Sequence, residues 1–310
     1  MKKQHIIDYI RQAGYTPVSP IWGGKREFGF LCYGHLDMAK ALGFELEQIT
    51  PVLKIVKENQ LTKEEQLDKL IAARTFDYSG FEQEVDHLIR MKVKYPDHLC
   101  GGGCFGPLTV VSGIIGAERL LRMVVKNPQF VLRLLDYVTD YMVELAKRET
   151  EADQDFFWIA EPLASLLSPK RFWRFSGQYL KRIIDAADVP VFLHVCGKTT
   201  QHTPYFVQTG AEVLSIDYST DIEACIRMVD ENVVIMGNVS PANLRFGTKE
   251  EVEEEVRAIL SVCEGFPNFV LSTGCSIMEG TPEENMQVLF DLCTPFLPDT
   301  PIDNNNRTHV

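Results

Sequence analysis

From residue 156 onward the chain alternates between two kinds of segment. Short apolar runs are each followed by a stretch with helical spacing, and the unit recurs to the end of the chain. The runs are Phe156-Phe157-Trp158-Ile159-Ala160, Val191 to Cys196, Glu212 to Ile216, Val233 to Met236, and Phe269 to Ser272. The intervening stretches run from Ser168-Pro169 through Phe172, Phe175, Leu180 and Ile183, from Pro204 to Gln208 before Gly210, from Ile222 to Val229, and from Thr248 to Val262. Thr281-Pro282-Glu283-Glu284 opens the last, to about Leu292. Proline in a first turn and Ser or Thr before it are helix-start signals. Strands that alternate with helices build parallel βαβ units. No Gly-x-Gly-x-x-Gly follows an early strand, so a dinucleotide-binding domain is unsupported. Polar residues stand at or just after the carboxyl ends of the runs: Glu161, His194, Cys196, Asp217, Asn238 and Cys275. In a (β/α)8 TIM barrel those ends form one face, and that face holds the active site. The expectation is a single α/β barrel domain over residues 1–310, with a shortened or atypical N-terminal third.

One of these runs carries chemistry. In Val191-Phe192-Leu193-His194-Val195-Cys196-Gly197, His194 and Cys196 are two residues apart and share a face of the strand. Imidazole nitrogen and thiolate sulfur are ligands that zinc favours. Cys275, after Phe269-Val270-Leu271-Ser272-Thr273-Gly274, ends a matching run. Three such ligands with a position left open are the mark of catalytic zinc. A buried cysteine that acts only as a small hydrophobe is the competing reading. Cys32, His35 and Asp37 are also ligand types, but nothing fixes their mutual geometry, and they read as structural.

The first half of the chain is less regular. Residues 1–14 have the pattern of a short amphipathic helix, and Pro17 to Trp22 that of a weak strand. The segment from Phe28 to about Lys40 is ambiguous. From about Glu47 to Arg90 the spacing is largely helical. Thr62 and Glu65 form a capping-box pattern there, and Leu67, Leu70 and Ile71 a buried stripe. A helix after Gly80 would carry Val85, Leu88, Ile89 and Val93 inward. Cys100-Gly101-Gly102-Gly103-Cys104 is unsuited to a regular helix and suits a close backbone approach to a ligand or to a neighbouring strand, the former as a cofactor-binding rim. It is no phosphate loop, because no Gly-Lys-Ser/Thr follows. Cys100 and Cys104 are a weaker candidate for a metal or redox pair. Leu108 to Val111 reads as a short strand. Asn127-Pro128 opens a long helix through Val131, Leu134, Leu135, Val138 and Met142.

Composition excludes some functions. The net charge of -12 argues against a broad nucleic-acid surface. No apolar run approaches the length of a membrane span. Charges interrupt the N-terminal stretch too early for a signal peptide, so a cytoplasmic protein is expected. In that compartment the eight cysteines are expected to be free, metal-bound or redox-active rather than a disulfide framework.

The motifs together resemble the uroporphyrinogen decarboxylase superfamily, and within it the methylcobamide:coenzyme M methyltransferase branch. The matching pieces are Gly106-Pro107-Leu108-Thr109, Glu161-Pro162-Leu163-Ala164-Ser165 with Ser168-Pro169, His194-Val195-Cys196-Gly197, Gly237-Asn238-Val239-Ser240-Pro241, and Ser272-Thr273-Gly274-Cys275 followed by Thr281-Pro282. The resemblance implies a TIM barrel and a zinc ion on His194, Cys196 and Cys275. It further implies a thiol acceptor activated as thiolate and a methyl group carried on the corrinoid of a partner protein. Asp217 is then a fourth ligand displaced by substrate or an orienting partner of His194. Glu161 is a ligand, a proton acceptor for the thiol or a substrate-binding carboxylate. The same family includes enzymes of the opposite half-reaction, which move a methyl group from a methylated substrate onto a corrinoid protein, and metal-free porphyrinogen decarboxylases. The chain has no Asp-x-His-x-x-Gly corrinoid motif, so the corrinoid is expected on the partner. It also departs from the decarboxylases: Arg11-Gln12-Ala13-Gly14 is followed by Tyr15 rather than arginine and precedes the first strand.

Overall fold

A computed structural model describes residues 30–33, 42, 46–48, 54–56, 60–74, 76–94, 101–151 and 154–293. The strands in chain order are β1 (Phe30–Tyr33), β2 (Leu46–Gln48), β3 (Lys54–Val56), β4 (Gly101–Phe105), β5 (Phe156–Ala160), β6 (Val191–Val195), β7 (Val213–Ile216), β8 (Val234–Val239) and β9 (Phe269–Thr273). β2 and β3 pair with each other antiparallel. The other seven form one sheet, every pair parallel, in the order β1-β4-β5-β6-β7-β8-β9. Spatial order therefore follows chain order throughout. A doubly wound sheet reverses direction at a switch point, whereas a sheet that advances one strand per helix in a single direction is wound as a barrel. The fold is of the TIM-barrel type.

Alternation along the strands sorts their side chains into two layers. Trp158, Ala160, Phe192, Val213, Val234, Met236 and Val270 pack together on the inner face. Their neighbours Phe157, Ile159, Val191, Leu193, Leu214, Ile235 and Leu271 pack outward against the helices. Both faces are buried, which is why these strands read as continuous apolar runs.

The first half corrects several expectations. Of the two close approaches open to the glycine run, the one to a neighbouring strand holds and the rim does not: Gly101–Phe105 is the buried strand β4. A Cβ on Gly101 would collide with Phe156, and one on Gly103 with Trp158, their register partners on β5. Bulky residues on the neighbouring strand override the low strand propensity of glycine. Leu108 to Val111 is not a strand. Leu46–Gln48 and Lys54–Val56, inside the stretch read as helical, are a strand pair. Among the described residues the helices of this half are α1 (Glu64–Ala73), α2 (Ser79–Lys94), α3 (Pro107–Ile115), α4 (Ala117–Lys126) and α5 (Pro128–Glu151). Leu108 and Thr109 lie in the first turn of α3, where a partner from elsewhere in the chain takes their N–H groups. The cap of α1 sits one residue later than expected, with Gln66 Oε1 accepting from Thr62 N at 2.7 Å and Lys63 N at 2.8 Å. Leu67 and Leu88 are buried as expected, but Ile71, Ile89 and Val93 are exposed. In α5, Val131, Leu134, Leu135, Val138 and Met142 are all buried. The segments 1–14 and 17–22, with His35, Asp37 and Cys100, lie outside the described residues, and Cys32 falls in β1.

Candidate metal centre

The carboxyl ends of β6, β7 and β9 converge on one cluster. His194, Cys196, Asp217 and Cys275 each offer one ligand atom, and the four atoms lie within 4.8 Å of one another. Each is held there by local structure. His194 stands opposite Ser215 in the β6–β7 register. Its Nδ1 is 3.2 Å from the Ser215 carbonyl and 3.1 Å from the Ser215 hydroxyl. A carbonyl can only accept, so Nδ1 carries the hydrogen and Nε2 keeps its lone pair. That Nε2 lies 3.2 Å from Cys196 Sγ. Cys196 Sγ in turn lies 3.9 Å from Cys275 Sγ.

Asp217 and Cys275 are brought together by close backbone packing. A Cβ on Gly274 would collide with the Tyr218 backbone, so only glycine lets the two loops touch. Gly274 N donates to Val239 O at 2.7 Å and anchors the start of the Cys275 loop to β8. Asp217 Oδ1 accepts from Ser219 N at 2.8 Å and Ser219 Oγ at 2.7 Å. Asn238 staples the same turn, donating to Asp217 O at 3.1 Å and Thr220 O at 2.9 Å. His194 and Asp217 are 1% and 3% exposed, and the two cysteines are half-buried.

The electrostatics favour one thiolate. The hydrogen bond from Cys196 lowers the Cys275 thiol to about 4, against burial, which works to raise it. Cys196 moves the opposite way, pushed up by the same shared hydrogen bond and by burial. The donor set of one nitrogen, two sulfurs and one carboxylate oxygen suits zinc. Tetrahedral zinc with ligands at about 2.0–2.3 Å needs its donors within about 4 Å of one another, a small contraction of this cluster.

Glu161 lies apart from this group. Its side chain is fully buried and reaches the N-terminus of α3. Oε2 accepts from Leu108 N at 3.0 Å and Ser176 Oγ at 3.0 Å, and Oε1 accepts from Thr109 N at 2.7 Å and from the Thr109 hydroxyl. Burial pushes its carboxyl above the ordinary range, and these donors pull the other way. Its backbone N–H donates to His194 O at 2.8 Å. Sequence reasoning passed over Ser215 and Ser219. Ser215 was findable, because it sits two residues before Asp217 and therefore shares its face.

The match to the family model described as "Uroporphyrinogen decarboxylase (URO-D)" spans residues 30–296. The chain belongs to the uroporphyrinogen decarboxylase family. Its relatives in that family include a methylcobamide:CoM methyltransferase, MtbA, of Methanosarcina acetivorans, 32% identical over 196 residues, or 61% of this chain and 56% of that one. A uroporphyrinogen decarboxylase of Prochlorococcus marinus is 30% identical over 174 residues, 54% of this chain and 49% of that one. The chain thus spans about half the length of these relatives. Among solved structures, a methyltransferase from Methanosarcina mazei superposes with a TM-score of 0.67 at 22% identity, covering 87% of this chain and 80% of that one. A B12-independent methionine synthase from Shewanella superposes at 0.53 with 14% identity, covering 68% and 65%. Both are likenesses of fold. Among the described residues no helix is long and apolar enough to cross a membrane.

Proposed function

We propose that this chain moves a methyl group between the corrinoid of a partner protein and a small thiol, with zinc held by His194, Cys196 and Cys275. The observation that carries the reading is the mixed donor set gathered within 4.8 Å at the carboxyl ends of the barrel strands. The Methanosarcina acetivorans relative supports it, since its name gives a cobamide as methyl source and coenzyme M as acceptor. Zinc bound there would supply Lewis-acid activation, lowering the pKa of the incoming thiol so that it reacts as thiolate. The residues do the rest. Ser215 fixes the tautomer of His194 and keeps Nε2 turned toward the thiolates. Asp217 would be a fourth residue able to hold the metal, and its carboxylate would accept the proton of the incoming thiol. Ser219 holds Oδ1 of that carboxylate in place and leaves Oδ2 to turn toward the cluster. Glu161, with both oxygens already accepting hydrogen bonds, positions β5, α3 and the His194 strand rather than touching substrate.

The test is an anaerobic methyl-transfer assay with methylcobalamin and small thiols, coenzyme M among them, beside elemental analysis. One zinc per chain and chelator-sensitive S-methylation are expected. Transfer from methylated substrates to cob(I)alamin, with none to thiols, would assign the opposite half-reaction. Porphyrinogen decarboxylation that survives chelation would overturn the reading.

A further inference from the structure

The two sulfurs of the cluster touch. Cys196 Sγ and Cys275 Sγ lie 3.9 Å apart, although 79 positions separate them in the chain. The sulfurs of a disulfide are about 2.05 Å apart, so a bond between them requires a closure of about 2 Å. Both side chains can share that movement, because neither residue is part of a strand: β6 ends at Val195 and β9 at Thr273. Both thiols are half-buried and reach solvent, whereas Cys104, Cys225 and Cys263 are buried. A cysteine open to solvent with a second cysteine beside it is the arrangement of a redox sensor, because the second thiol captures the first oxidation product. His194 Nε2 keeps its lone pair and lies 3.2 Å from Cys196 Sγ, within reach of that thiol's proton.

The bonded and the open pair serve different ends. A thiolate sulfur is a metal ligand, and a disulfide sulfur is not. Oxidation would leave only His194 and Asp217 of the four candidate ligands. A metal on both sulfurs would in turn occupy the electron pairs that an oxidant attacks. The pair can hold a metal or form a bond, but not both.

We propose that Cys196 and Cys275 form a reversible disulfide, which makes the cluster a hydroperoxide-sensitive switch. The loss of metal and activity on oxidation rests on the methyl-transfer reading above; the bond itself rests on the geometry of the pair. The oxidant is a hydroperoxide. Cys275 Sγ attacks one peroxide oxygen, the O–O bond breaks, and water or an alcohol leaves with the thiol proton, which gives a sulfenic acid. Cys196 Sγ then attacks Cys275 Sγ and the S–O bond breaks. The Cys196 proton, taken up by His194 Nε2, leaves with the oxygen as water. Two thiols and one hydroperoxide thus give one disulfide, one water and one further water or alcohol. Two equivalents of a small thiol reopen the bond by exchange and are themselves joined as a disulfide.

The test treats the full chain with hydrogen peroxide, once metal-free and once zinc-loaded. Free thiols are then alkylated, and the peptides are separated without reductant for mass spectrometry. In the metal-free chain a single bond between the peptides of Cys196 and Cys275 is expected, two hydrogens lighter than the open pair and reversed by dithiothreitol. In the zinc-loaded chain, zinc is expected to leave in step with formation of the same bond and to return after reduction. Cys196→Ala should give no such bond and leave Cys275 as a sulfenic acid that dimedone traps. Sulfinic acid on either cysteine of the parent without the cross-link, a bond to any other cysteine, or no reaction overturns the proposal. Retention of zinc by the bonded chain overturns the switch. Failure of the two readings is distinguishable. If the bond forms and reopens in a chain that never methylates a thiol, the methyl-transfer reading fails and the disulfide stands. If zinc binds and thiols are methylated but peroxide never joins the pair, methyl transfer stands and the disulfide fails.

Discussion

Glu161 and Asp217 both follow a barrel strand by one residue, one after β5 and the other after β7, and both are almost wholly buried. Their surroundings differ completely. Glu161 faces donors alone: two backbone N–H groups and two hydroxyls occupy its oxygens. Asp217 faces Ser219 with Oδ1 and a cluster of metal-ligand types as well. A carboxylate saturated by fixed donors holds structure together, whereas one shared between a donor pair and soft ligands can change partners. Position at the carboxyl end of a strand therefore does not define a role; what the carboxylate oxygens already accept does.

The largest expected effect tests whether the cluster is a metal site at all. Cys275→Ala and Cys196→Ala should each lose stoichiometric zinc by elemental analysis and lose thiol methylation, yet keep the circular dichroism of the parent. Neither cysteine belongs to the apolar core, so an unfolded variant would make the metal structural rather than catalytic.

The next pair separates the carboxylates. Glu161→Gln turns an amide NH2 toward groups that are themselves donors. Leaving such buried donors unsatisfied costs about 1–3 kcal/mol each, so a loss of about 3 kcal/mol in denaturant unfolding is expected, with zinc still bound one per chain. Asp217→Asn keeps an oxygen for Ser219 and should leave stability within about 1 kcal/mol of the parent, while zinc affinity in a chelator competition falls by about tenfold. The opposite pattern, with Glu161→Gln zinc-free and fully stable, would exchange the two roles.

The chain itself shows why this contrast is hard to read from residue order. The barrel half was legible because each strand is buried on both faces and each helix opens on a proline or a cap, so period and punctuation agree. His194, Cys196 and Cys275 were legible because soft ligands recur at strand ends. β4 was hidden: Gly101 and Gly103 look like a loop, and only Phe156 and Trp158 on the next strand explain them. The start of α3 was hidden for a related reason. Leu108-Thr109-Val110-Val111 has strand-like residues, but Glu161, more than fifty positions away, accepts from its first N–H groups and holds a helix instead. A set of donors of that kind has no local signature, and so neither did the difference between Glu161 and Asp217.

The smallest effect concerns the support of His194. Nδ1 has two neighbours on Ser215, the hydroxyl at 3.1 Å and the carbonyl at 3.2 Å. Ser215→Ala removes only the first. The carbonyl still accepts the Nδ1 hydrogen, so the tautomer that leaves Nε2 free persists. What is lost is one restraint on ring orientation in a site where Nε2 must meet two sulfurs. Removal of a whole supporting partner typically weakens a metal site by about 10- to 100-fold. With the backbone half of this support intact, zinc affinity in the same chelator competition should fall by less than about tenfold. A drop as large as that of Asp217→Asn would mean that the hydroxyl, not the carbonyl, sets the tautomer, and that Ser215 ranks with Asp217 in building the open carboxylate's site rather than behind it.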